Sequence, residues 1–230
     1  AEGSDVATAP TPAGSSRPSG GCEVDRTSTI TSKDTISHSQ FILRNLSRID
    51  VVYEVDQRKL GEGTYGSVTL GCHKSTGVLR AIKKISKAHV KDLMRFRQEV
   101  AIMKVMDHPN IIRLFETFED RQHIYLVMEL CEGGELFDRV VRVGRLGERE
   151  AATAVQHILR AVLHMHEKDV AHRDLKPENF LLQGPGPILT NVLKLIDFGT
   201  ARQARARTLM ATKAGTPYYV APQVLKGRYD

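Results

Sequence analysis

The chain has no tryptophan, only three cysteines and no long apolar run. Cys22, Cys72 and Cys131 are odd in number and lack the spacing of a metal site, which argues against a disulfide framework and favours a reducing compartment. No segment approaches the roughly 20 apolar residues of a membrane-spanning helix. We therefore expect a cytoplasmic protein without a transmembrane segment. Because the chain begins with Ala1 and not Met, membrane association through an N-terminal modification is left open.

The net charge is +6, while 41% of the residues are apolar and 26% are charged. These fractions are typical of a globular domain. A basic balance fits either a solvated surface or a nucleic-acid patch, and the solvated surface is favoured because aromatic and basic residues are not interleaved. We expect no nucleic-acid partner.

Composition changes along the chain. Residues 1–34 are rich in Ser, Thr, Gly, Pro and Ala and predict a disordered tail. Residues 35–52 form a connecting segment, and a folded domain is expected over 53–230. Short segments rich in strand-forming residues predict strands, and apolar residues that recur at helical spacing predict two helices. The strands are expected at 53–60, 67–73, 78–85, 111–118 and 123–130, and the helices at about 90–106 and 148–168.

This order predicts an α+β fold of two lobes with a cleft between them: an antiparallel sheet with one main helix, followed by a helical lobe. In the first helix, Val90, Leu93, Met94 and Val100 lie near one face. In the second helix, five apolar residues recur at the spacing of one helix face; they are Val155, Ile158, Leu159, Val162 and Leu163.

Glycine-rich residues join the first two predicted strands, in the order Gly61-Glu-Gly63-Thr-Tyr-Gly66. Glycines at this spacing let backbone amides approach a phosphate group. The signal is weak alone, because a plain glycine hairpin has the same composition and dinucleotide folds carry the same spacing between a strand and a helix. Here strand-forming residues follow, so the loop is expected to join two strands.

Lys83 follows on the next strand, and Glu99 lies on the following helix. A lysine beside a glycine loop can bind phosphate oxygens, and a carboxylate can hold that lysine in place. Each residue alone is usually an ordinary surface charge. Their joint position relative to the loop favours the functional interpretation.

The most specific pattern is His172-Arg-Asp174-Leu-Lys176-Pro-Glu178-Asn179, with Asp197-Phe-Gly further along. Phosphoryl transfer requires charge neutralisation, in-line positioning and a carboxylate that orients the attacking hydroxyl. Asp174 supplies this carboxylate, and Lys176 can neutralise the transferring phosphate. Asn179 and Asp197 are oxygen ligands of the kind that Mg²⁺ prefers. A single Asp would more often cap a helix or turn, but the full ordered set is very rare by chance.

These motifs are those of protein kinases, which the chain resembles over residues 53–230. Within kinases it is most similar to the calcium/calmodulin-related group, especially the calcium-dependent protein kinases of plants and protozoan parasites. The residues that carry this closer resemblance lie at 108–120, 125–140, 172–182, 193–199 and 215–230, and residues 36–45 resemble the segment that precedes the domain in parasite members.

The resemblance implies ATP and Mg²⁺ as cofactors and proteins as substrates. It implies that Asp174, Lys176, Lys83 and Glu99 are catalytic, with Lys83 bound to the α/β-phosphates and paired with Glu99. Asn179 and Asp197 would bind the metal. The nucleotide is also implied to contact Leu60 and, at its phosphates, the glycines Gly61, Gly63 and Gly66. Val68 and Ala81 would lie above the adenine and Leu181 below it, with the gatekeeper Met128 behind it and the backbone of Glu129 and Cys131 at its edge.

Two glutamates are implied to read the substrate. Glu135 would reach the ribose or a basic substrate residue, and Glu178 would favour arginine upstream of the acceptor. His172, Phe198, Met103 and Leu114 are similar to the hydrophobic spine that couples the kinase lobes; simple core packing would serve equally.

Several features depart from the family pattern. Arg80 stands where the lysine strand usually has valine, and Gln223 replaces the glutamate of the Ala-Pro-Glu element. The chain stops at Asp230, before the expected central helix of the second lobe, and it contains no EF-hand loop. We therefore expect a truncated kinase domain in which the apolar face of the 148–168 helix lies exposed, and the resemblance implies a calcium-regulated parent. The alternative is a catalytically impaired nucleotide-binding or scaffold fragment.

The segment 201–213 is basic and contains two candidate phosphorylation sites. Thr208 has Arg205 three residues before it, which matches the expected substrate pattern, so self-phosphorylation is predicted there. Thr212 lies where many kinases carry an activating phosphate, with Arg173 as the expected partner. A mobile solvated loop is the plain alternative.

Overall fold

Six strands form the sheet of the first half, in the order β1-β5-β6-β4-β3-β2. The computed structural model describes residues 43–45, 47–63, 66–204 and 209–229, and all of them belong to one unit that spans 36–230. Neighbouring strands are antiparallel, except that β1 runs parallel to β5. The strands are β1 Leu43–Asn45, β2 Tyr53–Gly63, β3 Gly66–His73, β4 Leu79–Ser86, β5 Leu114–Glu119 and β6 His123–Met128.

The second half is mainly helical and carries two small two-stranded sheets, β10-β7 and β8-β9. Its strands are β7 Val170–Ala171, β8 Phe180–Leu182, β9 Leu193–Leu195 and β10 Arg202–Gln203. The helices of the described residues are α1 Ile49–Val52, α2 Leu93–Val105, α3 Leu136–Val143, α4 Glu148–Glu167 and α5 Pro222–Leu225, with short 3₁₀ turns at Lys87–His89, Pro177–Asn179 and Ile188–Thr190. The five predicted strands and both predicted helices are present, and the α+β fold is confirmed.

The two faces of the sheet pack against different neighbours because side chains alternate along a strand. Ile85 of β4 joins the main core with Phe96 and Met103 of α2. Ile82, on the opposite face of the same strand, packs with Tyr53 and Phe118 in a smaller core. The main core continues through the β8-β9 hairpin into α4, so the helical part and the sheet share one apolar interior.

The helix α2 packs against the main core. Its buried side chains are Phe96, Glu99 and Met103. Of the residues predicted near one face, Val90, Leu93 and Val100 pack partly against the same core, while Met94 is 66% exposed. The helix also turns Glu99 toward the cleft.

In α4 the buried side chains are Ala154, Ala161 and Met165, and Ile158 packs partly against the core. Val155, Leu159 and Leu163 of the predicted apolar face are exposed, as expected for this chain. Alanine on the buried face lets the helix backbone approach the β8-β9 hairpin closely. The small side chains of α4 thus lie inside, while its larger apolar side chains lie exposed.

Some predictions lie outside the described residues. They are the disordered tail at 1–34, half of the connecting segment 35–52 (35–42 and 46), and self-phosphorylation at Thr208. No helix in the described part of the chain is long and apolar enough to cross a membrane.

Candidate active site

The loop between β7 and β8 holds the carboxylate of Asp174 in a network of three side chains. The Thr216 hydroxyl donates to Asp174 Oδ1 at 2.7 Å, and Lys176 Nζ lies 3.3 Å from Asp174 Oδ2. Lys176 Nζ also donates to the Thr216 hydroxyl at 3.0 Å. A carboxylate, a cation and a hydroxyl thus converge at one point, although Thr216 is 42 residues away from Asp174 in sequence.

Asp174 is kept ionised by these neighbours. Partial burial would raise the pKa of its carboxyl, but the hydrogen bonds from Thr216 and Lys176 and the charge of Lys176 outweigh burial and lower that pKa below its ordinary value. An ionised carboxylate can accept a hydrogen bond from an approaching hydroxyl. The loop therefore presents an acceptor at neutral pH.

His172 anchors the start of the loop in the interior. Its Nε2 donates to the Ile196 carbonyl at 3.4 Å, and its ring meets the Phe198 ring edge-on with centroids 5.5 Å apart. Burial lowers the pKa of the imidazole. Met103 and Leu114 are also buried in the main core, so the four expected spine residues are all interior.

Asn179 and Asp197 fit the expected metal site by the chemistry of their free oxygens. Asn179 Nδ2 donates to the Asp174 carbonyl at 2.8 Å, and Asp197 Oδ1 accepts from the Gly199 amide at 3.0 Å. Among the described residues, Asn179 Oδ1 and Asp197 Oδ2 have no hydrogen-bond partner. Asp197 also adopts φ of 51°, a left-handed conformation that is uncommon outside glycine.

Lys83 and Glu99 lie on neighbouring elements, β4 and α2, within electrostatic reach. Burial raises the pKa of Glu99, the charge of Lys83 lowers it, and the carboxylate of Asp197 raises it further. Within the described part of the chain, no ion pair of 4.0 Å or less joins Lys83 to Glu99. The structure thus brings the lysine and both carboxylates into one region without the predicted direct pair.

The walls of the expected nucleotide site come from adjacent strands. In the strand register, Val68 of β3 lies opposite Lys83, and Ala81 of β4 lies opposite Met128 of β6. Leu181 lies on β8, where it bridges to Glu135. The residues above and below the expected adenine position thus belong to the two halves of the molecule.

The segment that connects β6 to α3, residues 129–135, offers free backbone groups. The Glu129 amide donates to the Arg113 carbonyl at 2.9 Å, but among the described residues the Glu129 carbonyl and the Cys131 amide have no backbone partner. One acceptor and one donor, two residues apart, are what an adenine edge requires. Burial, followed by the Glu129 carboxylate, raises the pKa of the Cys131 thiol to about 12, so this side chain is a neutral thiol.

The glycine-rich segment forms the β2-β3 hairpin, in which Gly61 lies opposite Val68 and Gly63 opposite Gly66. The two ends of this segment differ. A Cβ at Gly66 would overlap the Lys84 carbonyl oxygen, whereas a Cβ at Gly61 would meet no atom within 4 Å. Gly66 is therefore required by packing, and Gly61 is not. Leu60 beside it is exposed.

Glu135 and Glu178, the expected substrate-reading residues, influence each other electrostatically. Burial raises the pKa of Glu135, and Asp138 and Glu178 raise it further. Glu178 Oε2 is buried with no hydrogen-bond partner among the described residues. Asp138, in the first turn of α3, adds a third carboxylate that sequence reasoning missed.

Arg173, the residue before Asp174, contacts the following segment through two groups. Its Nε donates to the Thr200 carbonyl at 2.7 Å, and its Nη1 lies 3.4 Å from the Tyr229 hydroxyl. Tyr229 in turn donates to the Thr212 carbonyl at 2.6 Å. Sequence reasoning missed Thr216 and Tyr229, although both lie in the segment 215–230 that resembles kinases. Nothing in the pattern of that segment indicates that these two side chains reach the catalytic loop.

Comparison with known proteins places this fold and site in a class. The protein kinase domain model matches residues 53–230, and the chain belongs to the protein kinase family.

The relatives confirm the closer resemblance. Calcium-dependent protein kinase 5 of Plasmodium falciparum is 44% identical over 191 residues, which are 83% of this chain and 33% of that protein. Calcium-dependent protein kinase 3 of Plasmodium yoelii yoelii is 45% identical over 84% of this chain and 36% of its own length. CBL-interacting serine/threonine-protein kinase 24 of Arabidopsis thaliana is 45% identical over 77% of this chain and 40% of its own length. The chain thus spans about a third of the length of the calcium-dependent relatives.

Proposed function

We propose that this kinase domain transfers the γ-phosphoryl group of ATP to serine or threonine hydroxyls of protein substrates. The observation that supports this most directly is the convergence of Asp174, Lys176 and Thr216. Asp174 is placed to accept a hydrogen bond from the substrate hydroxyl and to take its proton as the new O–P bond forms. Lys176 neutralises charge on the transferring group, which is the main requirement of phosphoryl transfer.

The nucleotide would lie between the two halves of the molecule. Lys83 would bind the α/β-phosphates under the backbone of Gly61, Gly63 and Gly66, and Glu99 would orient that lysine once the phosphates are in place. The adenine would lie between Val68, Ala81 and Leu60 on one side and Leu181 on the other, with its edge on the backbone of Glu129 and Cys131 and Met128 behind it.

Asn179 and Asp197 would hold Mg²⁺ through their free oxygens. The chemistry that a bound Mg²⁺ supplies is neutralisation of charge on the phosphate oxygens. Asp197 and Glu99 repel each other when both are ionised. A cation bound by Asp197 would therefore also stabilise the nearby carboxylate of Glu99.

Peptide phosphorylation at saturating Mg-ATP tests this assignment. We expect Asp174→Asn, Lys83→Met and Asp197→Ala each to lower turnover by at least about 10²–10⁴-fold, the usual worth of a positioned general base. Arg149→Ala, on the exposed start of α4, is the matched control and should retain normal turnover. Near-normal turnover of Asp197→Ala would contradict the proposal.

We also propose that the enzyme prefers basic residues upstream of the acceptor. The carboxylates of Asp138 and Glu178 repel that of Glu135, and a guanidinium would relieve that repulsion in a bidentate geometry. A peptide library should show enrichment of arginine upstream of Ser or Thr, and Glu135→Gln should reduce it. A library without upstream basic preference would remove this role for both glutamates.

Calcium control is proposed for the whole protein on the strength of the relatives' names. Two of the relatives described above are called calcium-dependent kinases, and no group of three or more metal-ligating side chains occurs among the residues described here. We expect the full-length protein to phosphorylate a peptide faster in calcium than in chelator. Residues 53–230 would supply the catalytic groups in both conditions. Equal rates in both conditions would contradict calcium control without affecting the kinase assignment.

A further inference from the structure

A cavity of about 440 Å³ lies behind the segment that connects β6 to α3, away from the catalytic groups. We name it the rear pocket. Its volume is within the roughly 300–1,000 Å³ of small ligand sites. Its walls come from β4, β5, the loop after α2, the connecting segment and the β8-β9 hairpin; the residues are Leu79, Arg80, Asp107, His108, Pro109, Arg113, Phe115, Glu129, Leu130, Gln183 and Lys194.

Arg80 points to the opposite face of the sheet from the catalytic lysine. Along β4, side chains alternate, so Ala81 and Lys83 face the cleft while Arg80 and Ile82 face away. Ile82 confirms this orientation because it packs in the smaller core on the far face. A ligand of Arg80 would therefore not compete with a nucleotide in the cleft.

The guanidinium of Arg80 is fixed by an aromatic ring. Its Cζ lies 3.8 Å from the centroid of the Phe115 ring, and the Arg113 Cζ lies 5.7 Å from the same centroid. Stacking on a ring holds the planar guanidinium while leaving its edge N–H groups available. Among the described residues, Arg80 Nη1 makes only a long hydrogen bond of 3.4 Å, to the Leu79 carbonyl.

Charges in the rear pocket are paired, with the exception of Arg80. Arg113 lies 3.6 Å from Asp107, and Lys194 lies 2.8 Å from Glu129. In the part of the chain that the structure describes, no carboxylate lies within 4.0 Å of Arg80. The pocket thus holds one positive charge, already oriented, for which the described residues provide no counter-ion.

We propose that the rear pocket is a docking site for a short acidic peptide segment of a protein partner, with one Asp or Glu carboxylate bound by Arg80. A guanidinium edge matches a carboxylate in a bidentate geometry. The exposed Leu79, together with Leu130 and Pro109, gives apolar contacts beside the charge, as an extended peptide with apolar residues requires. Asp107 and Glu129 make the pocket less suited to a phosphate, which carries about two negative charges.

The consequence of docking follows from the elements that form the walls. The pocket joins the back of the sheet to the β8-β9 hairpin and to the connecting segment, which links the two halves. A peptide bound there would contact both halves from behind. It would recruit a partner or substrate while leaving the catalytic cleft open.

Fluorescence polarisation tests the proposal with a short labelled peptide that carries one aspartate between two leucines and no Ser, Thr or Tyr. We expect saturable binding to the protein, and Arg80→Ala should weaken it by about ten- to hundredfold, as loss of a charge-assisted hydrogen bond does. Arg80→Lys keeps the charge but loses the planar guanidinium, so its affinity for the peptide should be intermediate. The matched control Arg149→Ala should bind normally. Mg-ATP binding, followed by thermal shift, should be unchanged in all variants and shows that they are folded.

Five results would overturn the proposal. The first is failure of the aspartate peptide to bind, and the second is equally tight binding of a peptide with lysine in place of the aspartate. Equal weakening by Arg80→Ala and Arg149→Ala would indicate general charge attraction. Tighter binding of a peptide with phosphoserine in place of the aspartate, or full competition by free acetate, would assign the pocket to another anion. Conversely, a charge-reversing Arg80→Glu variant that prefers the lysine peptide would support it directly.

Discussion

At the residue scale, Gly61 and Gly66 share one motif but have different reasons to be glycine. Gly66 lies against the Lys84 carbonyl, where no Cβ fits, whereas Gly61 faces open space. Packing therefore requires glycine at position 66. Under the proposed function, the approach of the nucleotide requires glycine at position 61. The sequence pattern presents the two positions as equivalent.

A pair of substitutions separates these two reasons. Gly66→Ala should lower the free energy of unfolding by about 1–3 kcal/mol, the usual cost of overpacking. Gly61→Ala should leave stability unchanged or raise it slightly, but should raise KM for ATP because a methyl group would stand where phosphates approach. Urea unfolding and ATP titrations measure both. If Gly61→Ala had an unchanged KM, the hairpin would not cover the phosphates.

The protonation of Glu135 makes the proposed arginine preference depend on pH. Its pKa is raised by burial and then by Asp138 and Glu178, so it becomes protonated at a higher pH than an ordinary glutamate. The arginine preference needs the ionised form, which is present above the raised pKa and is lost as the pH falls through it. We expect the ratio of kcat/KM for peptides with and without upstream arginine to fall as the pH is lowered from neutral toward the ordinary glutamate pKa of about 4.3.

Glu135→Gln is the control for this experiment, since it cannot ionise. Its ratio should be low and nearly independent of pH. A wild-type ratio that stays constant over the same range would exclude Glu135 as the residue that reads arginine.

At the scale of elements, α2 matters because it carries Glu99 to the cleft. The Asp92 side chain caps its first turn by accepting from the Arg95 amide at 3.0 Å. Arg95 Nη2 also donates to the Gly199 carbonyl at 3.4 Å. The start of the helix therefore connects to the segment after β9, which carries Asp197.

Removing this cap tests the connection. Asp92→Ala should destabilise the protein by about 0.5–2 kcal/mol and should also lower kcat, because a frayed first turn loosens both Glu99 and the Arg95 contact. Asp92→Ser, which can still cap, should restore most of both. Loss of stability with unchanged kcat would show that the helix start does not influence the cleft.

At the scale of the whole molecule, a buried ion pair joins the two halves. Lys194 of β9 lies 2.8 Å from Glu129, whose Oε1 also accepts from the Gln183 amide nitrogen at 3.2 Å. Both charged side chains are largely shielded from water. Such a pair is costly to break from one side, because the remaining charge stays buried without a partner.

We expect Lys194→Met to lower the free energy of unfolding by about 3–5 kcal/mol, and the double variant Lys194→Met with Glu129→Leu to be distinctly more stable than the single one. Urea unfolding at neutral pH measures both. If the two single effects simply added, the pair would not be coupled, and the contact between the halves would depend on apolar packing alone.

The sequence by itself determined the order of strands and helices and the protein kinase class. It could do so because kinase motifs are short and ordered and because period-two patterns mark strands. It did not mark Ala154 and Ala161 as the buried residues of α4, because alanine is common at both buried and exposed helix positions. Burial depends on how closely another element approaches, which no local pattern encodes.

Only the tertiary structure decided the contacts between distant segments. Thr216 reaches Asp174 across 42 residues, and Tyr229 reaches Arg173 across 56. It also placed Arg80, a departure from the kinase pattern, on a ring at the back of the sheet. Hydrogen bonds and stacked rings depend on distances of a few ångströms between parts of the chain that folding brings together, so they exist only once the whole domain has packed.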